Sequence, residues 1–159
     1  MASENSTEYA RQIATGAQTY NRPDEFSGRL RYANITFTQA ATGTAADLAN
    51  LTLLPAGSVR LILPLCRIAF SAWGASRTLD LGWLAYVDLA GDAVAADPNG
   101  LDDGVDISAA GSVNPSGTVG GAETQRFESR DGVAITGQIN DGTLVIGNTL
   151  LGYLVYVID

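Results

Sequence analysis

The segment from Ser58 to Gly91, SVRLILPLCRIAFSAWGASRTLDLGWLAYVDLAG, is almost continuously aliphatic or aromatic. Its charged residues, Arg60, Arg67, Arg77, Asp80 and Asp88, are too sparse to form the polar stripe of an amphipathic helix, so the segment reads as two strands and a turn. From Thr78 the alternation is strict. Leu79, Leu81, Trp83, Ala85, Val87 and Leu89 share one face, and Thr78, Asp80, Gly82, Leu84, Tyr86 and Asp88 share the other. The first face is core. The second carries Leu84 and Tyr86 among polar neighbours, which predicts a partly apolar surface that meets another chain. Upstream there is a conflict of parity: Arg60 and Arg67 both need solvent or a partner, yet their spacing puts them on opposite faces of a regular strand. A bulge at Pro64 would resolve it, letting Val59, Leu61 and Leu63 share the core with Cys66, Ile68, Phe70 and Ala72. Trp73-Gly74-Ala75-Ser76 then turns the chain.

On either side the pattern is again that of strands. Residues 1–27 are polar, with Tyr9, Ile13, Tyr20 and Phe26 as spaced apolar anchors and Pro23 breaking any long helix, and are expected to form an extended N-terminal arm ahead of a sandwich domain over 28–159. From Arg31, Ala33, Ile35 and Phe37 alternate with Tyr32, Asn34 and Thr36. A second strand covers 48–54, and Pro55-Ala56-Gly57 makes a turn. Residues 91–132 shift to Gly, Ala, Asp, Asn, Pro and Ser, which predicts a long excursion carrying a short helix, around Val105–Ala110, or an interaction segment. After Gly132 the strands return. Asn140-Asp141-Gly142 reads as a hairpin turn into Thr143–Ile146, and the run from Leu150 to Ile158 is apolar on both faces. Such a strand must be central in a sheet or covered by another subunit. Seven or eight strands with little helix make this an all-β chain, an antiparallel β-sandwich of jelly-roll type.

The chemistry available is narrow. There is no His, which removes imidazole-based triads, acid/base work and imidazole metal sites. Gly117-Thr118-Val119-Gly120-Gly121 lacks the Lys and the preceding strand of a phosphate loop. A carboxylate pair able to hydrolyse a glycoside remains open, although twelve acids after Thr78 bring some pair close by chance. The acidic run 97–106 invites calcium, but Leu101 falls at a ligand position and no Glu stands where the bidentate ligand belongs, so a solvated turn is the better reading. We expect no catalytic residue, no cofactor and no metal. Cys66 has no intrachain partner and reads as a small buried hydrophobe, the alternative being a reactive or interchain thiol. No basic start followed by an apolar run opens the chain, and no apolar stretch reaches the length of a membrane span, so a soluble protein without an export signal is expected. Seven Arg stand against five carboxylates in residues 1–77, and two against twelve in residues 78–159, with no Lys anywhere. That balance argues against nucleic acid as a partner.

Several of these stretches resemble the small head-decoration, or cement, proteins of tailed bacteriophages. They are the polar arm, the Leu54-Pro55-Ala56-Gly57-Ser58-Val59-Arg60 turn into a long strand, Ile68-Ala69-Phe70-Ser71 with Arg77-Thr78-Leu79-Asp80-Leu81-Gly82, and the ending Gly152-Tyr153-Leu154-Val155-Tyr156-Val157. The resemblance implies a jelly-roll-like fold and homotrimers seated on the outer face of a capsid, bound to the major capsid protein and reinforcing the head. On that reading Tyr9, Arg11, Tyr20, Arg22, Arg29, Arg31, Leu84 and Tyr86 make subunit and capsid contacts. The alternative is a carbohydrate-binding head domain of a fibre or spike, with Trp73, at a strand end, as its stacking platform beside the 91–132 loops.

Overall fold

The computed structural model describes residues 29–40, 42–44, 47–116 and 123–159. These form strands β1 (Arg31–Thr38), β2 (Leu48–Leu54), β3 (Gly57–Ile62), β4 (Arg67–Phe70), β5 (Thr78–Trp83), β6 (Tyr86–Val87), β7 (Ala93–Val94), β8 (Asp97–Asp106), β9 (Gly111–Val113), β10 (Thr124–Ser129), β11 (Val133–Asn140) and β12 (Thr149–Ile158). The one helical piece among the described residues is a 3-10 turn, Leu63–Leu65. The expected arm lies outside the described residues.

Two antiparallel sheets form the sandwich. The first runs β1, β12, then β3 and β4 end to end, then β10 and β9. The second runs β2, β11, β5, β8. Counting β3 with β4 and β9 with β10 as single rungs, the first rung pairs with the last, the second with the second last, and so inward to β5 against β8. A ribbon folded on itself in this nested way is a jelly roll. Between the sheets lies one core, from Ile35, Leu51 and Leu54 through Val59, Leu61 and Ile68 to Ile135, Leu150 and Leu154.

Of the two places expected for the apolar terminal strand, central in a sheet or covered by another subunit, the structure shows the first. β12 pairs with β1 along one edge and with β3 and β4 along the other. Those two do not share a register: Leu61 opposes Tyr156, whereas Arg67 opposes Tyr153, so β3 to β4 uses three residues more than β12 does. The surplus is the turn Leu63-Pro64-Leu65. An odd insertion exchanges the two faces, and Val59 and Leu61 before it are therefore buried together with Cys66, Ile68 and Phe70 after it, as is Leu63 at its start. The parity conflict is real, but a 3-10 turn resolves it rather than a bulge, and Ala72 is exposed.

Three other expectations are corrected. The 91–132 stretch is no excursion, since it supplies β7 to β10, and Val105–Ala110 is the end of β8 followed by a bend, not a helix. Alternation from Thr78 to Leu89 does not continue as one strand, because β5 stops at Trp83 and Tyr86–Val87 pairs instead with Ala93–Val94 as a separate ribbon. Asp141 (φ 65°) and Gly142 (φ 129°) do turn the chain, but β11 and β12 belong to opposite sheets. The connection therefore crosses the end of the sandwich, where Leu144 plugs the core beside Gly43, and no hairpin forms.

The register mechanism is open to mutation. Leu154→Ala, at a fully buried site of the central strand, should cost about 2–5 kcal/mol in chemical denaturation. Deleting Leu65 makes the insertion even and turns Cys66, Ile68 and Phe70 outward. Its expected outcome is loss of a cooperative thermal transition.

Candidate interaction surface

Strand pairing fixes what each sheet shows to the outside. On the first sheet β1 presents Tyr32, Asn34 and Thr36, opposite Val155, Tyr153 and Leu151 of β12. The next rung places Arg67 beside Tyr153 and Ala69 beside Leu151, and Ser112 of β9 follows Ala69. Tyr32 is 71 % exposed, Leu151 44 % and Tyr153 42 %, and Leu65, at the adjoining turn, is 48 % exposed. No carboxylate stands in this part of the face. Its charge is Arg67, which donates to Ser112 Oγ at 3.1 Å, with Arg29 and Arg31 exposed at the start of the edge strand. Farther along, Val157 aligns with Arg60 and Arg60 with Arg126. Asp159 holds both guanidiniums, at 3.0 Å from Arg60 and 3.7 Å from Arg126, and Arg126 reaches Glu128 at 2.8 Å.

The second sheet is the electrostatic opposite. Its strands hold Asp80, Asp97, Asp102, Asp103 and Asp106 and no Arg, whereas those of the first hold Arg31, Arg60, Arg67 and Arg126 with one carboxylate, Glu128. Asp80 is anchored: its carboxylate accepts the Gly104 N–H at 2.8 Å and the Asn140 amide at 2.7 Å. Asp102 is half-buried, and that burial pushes its carboxyl above the usual Asp value, against the lowering effect of the Asp103 and Ser116 backbone N–H groups. Among the described residues no three side chains of His, Cys, Asp or Glu converge as metal ligands would.

The residues singled out from sequence fall in different places. Arg29 and Arg31 are exposed at the start of the edge strand. Leu84 and Tyr86 do not form an outward face. Leu84 donates its N–H to Ala134 O at 3.0 Å, and Tyr86 meets Phe127 edge to face at 6.1 Å, next to Trp83 at 5.2 Å from the same ring. The break after Trp83 inverts the phase, so Val87 and Leu89 are the exposed pair. Burial, with Asp88 and Glu128 nearby, raises the Tyr86 phenol above its ordinary value. Trp73 is 1 % exposed and offers no ring face to a sugar, which corrects its reading as a stacking platform. Tyr9, Arg11, Tyr20 and Arg22 lie outside the described residues. Cys66 is fully buried, its thiol donating to Ile62 O at 3.3 Å and accepting the Val155 N–H at 3.2 Å. Burial pushes the thiol pKa up, which suits a packed core residue. Sequence reasoning missed the Tyr32, Leu151 and Tyr153 patch. The signal was there in the outward-phase apolar residues of the terminal strand.

No family model matches the sequence, and no curated protein does. In fold, the chain is similar to a chain of the cyanophage Pam1 capsid asymmetric unit, with a TM-score of 0.56 and 14 % identity over 100 % of both chains. It also aligns with the VP2 subviral particle of infectious bursal disease virus (TM-score 0.49, 11 % identity, 84 % of this chain and 33 % of that one) and with the Gt strain of that virus (0.47, 9 %, 84 % and 33 %). At such identities the likeness to the cyanophage chain is one of fold, an all-β antiparallel sandwich.

Two outcomes follow from the buried groups. A carboxyl whose pKa is raised by folding stabilises the fold when protonated, and loses that contribution as pH rises through its folded value. Asp102→Asn should therefore raise the melting temperature at neutral pH, with the gain vanishing below the ordinary Asp value. Cys66 should resist a thiol reagent in the native protein and react stoichiometrically in denaturant.

Proposed function

We propose that this chain is a structural virion protein, a decoration protein seated as a homo-oligomer on the outer face of a bacteriophage capsid and stabilising it through the major capsid protein. The observation that carries this reading is the outer face of the first sheet. A jelly roll whose core is already complete still exposes Tyr32, Leu65, Leu151 and Tyr153 on a carboxylate-free part of the sheet that carries Arg67, with Arg29 and Arg31 exposed at the start of its edge strand. Lone exposed apolar residues are ordinary, whereas a contiguous patch of this kind marks a contact. The acidic second sheet suits the opposite task of facing solvent and keeping a crowded particle soluble. Three copies is the number the family resemblance implies, and repeated seating on a lattice would make a modest contact per copy sufficient. With Trp73 buried, the carbohydrate-binding alternative loses the stacking platform it was built on.

Sedimentation with purified phage capsids lacking the protein tests this reading. The wild type should pellet with the particles and raise their melting temperature. Arg31→Glu with Arg67→Glu should weaken binding at least tenfold, with a matching loss at high salt for the wild type. Unchanged binding by that variant, or no pelleting of the wild type, overturns the proposal.

A further inference from the structure

The apolar patch of the first sheet is bordered by a free strand edge, and the chain supplies a candidate to cover it. β1 pairs with β12 on one side and has no partner among the described residues on the other. Directly before it stand residues 1–27, which spell MASENSTEYARQIATGAQTYNRPDEFS. Fully extended, they could span about 90 Å, several times the width of a four-rung sheet at about 4.8 Å per rung. Their composition complements the patch. Glu4, Glu8, Asp24 and Glu25 outnumber Arg11 and Arg22, against a face whose charge is Arg67, and Tyr9, Ile13, Tyr20 and Phe26 match the exposed Tyr32, Leu65, Leu151 and Tyr153. Direction favours the face of another copy: β1 runs from the Tyr156 end of the sheet toward Thr149, so a segment continuing its line backward would leave the sheet away from its own Leu151, Tyr153 and Arg67.

We propose that residues 1–27 of one copy dock on the outer face of the first sheet of a second copy, along β1 and over Tyr153, Leu151 and Arg67. This inference rests on the homo-oligomeric reading above and names its contact. Aromatic anchors would sit between Tyr32 and Leu151, and the carboxylates of Asp24 and Glu25 would meet Arg67. Every copy then gives one segment and receives one, an exchange that can close as a reciprocal pair or as a ring.

Sedimentation velocity on full-length protein tests it with two variants. Tyr153→Asp with Arg67→Glu spoils the face, and Tyr20→Asp with Phe26→Asp spoils the segment. Each variant alone should be monomeric, and an equimolar mixture should recover a two-copy species, because the intact segment of one meets the intact face of the other. Circular dichroism checks that both fold, and Tyr32→Ser with Arg67→Glu replaces the face variant should Tyr153→Asp not fold. A monomeric wild type, a variant that stays assembled, or a mixture that stays monomeric overturns the proposal, the last by placing the segment on its own copy. Loss of assembly on Asp103→Arg with Asp106→Arg also overturns it, by moving the contact to the acidic sheet. Capsid pelleting separates the two proposals: assembly that survives without pelleting sinks only the decoration role, and pelleting by monomeric variants leaves that role standing without this contact.

Discussion

The pairing of β12 along both of its edges is the constraint on which this fold depends. A strand apolar on both faces is stable only where neither its backbone nor its inward side chains meet water, and here β1 covers one edge while β3 and β4 cover the other. That second edge is longer than one regular strand could serve with its apolar residues in phase. The 3-10 turn Leu63–Leu65 lets the chain spend three residues without advancing along β12, and both halves of the rung aim Val59, Leu61, Ile68 and Phe70 at the same core. The turn has its own support: Leu63 donates its N–H to Glu123 O at 3.0 Å, and the Asn114 side chain donates to Cys66 O at 2.8 Å. Opposite the turn, the neighbouring rung is likewise split, into β9 and β10.

Because the nested topology sends consecutive rungs mostly to alternate sheets, charge that looks scattered along the chain becomes segregated in space. Five of the twelve carboxylates after Thr78 stand in β5 and β8, adjacent strands of the second sheet, while the Arg residues of β1, β3, β4 and β10 meet in the first. A difference between two halves of a sequence thus becomes a difference between two faces of a sandwich. Long-range fields follow the faces, so any partner would be oriented by which sheet it approaches.

Much of the fold was legible, and the reasons for what was not are specific. Periodicity gave the strands from Arg31 to Thr78 and limited the last one to a central or covered place, because those segments alternate or are uniformly apolar over many residues. It failed for 91–132. β8, DPNGLDDGVD, contains one large buried residue, Leu101, and keeps its place through register shifts against β5 rather than through side-chain alternation. Gly82 makes those shifts workable, since a Cβ there would lie 1.9 Å from Asp97 O. The surface was less legible than the core. Leu84 and Tyr86 looked outward only if one strand ran through Trp83, and nothing local signals that the chain leaves the sheet there. Trp73 lies in the connection between β4 and β5 rather than at a strand end, and its backbone N–H donates to Ile107 O, which ties it to the loop that follows β8.

The free edge of β1 sharpens the argument about the patch beside it. Eight residues, Arg31–Thr38, have no second partner strand among the described residues and invite pairing with an extended chain, and proteins blunt such edges with charge, proline, bulges or cover. This edge has Arg at its start and Asn34, Thr36 and Thr38 along its outward face, but no Pro and no bulge in its pairing with β12. Its protection is therefore partial, and Tyr32 beside Val155 and Tyr153 adds an apolar surface that makes indiscriminate pairing more favourable. A protein kept in a monomeric state would gain from a Lys or Glu at position 32 or 153. Their absence is consistent with an edge and face that spend their working life covered, and the acidic, aromatic-bearing segment that leads into this strand is the piece of the chain best matched to cover them.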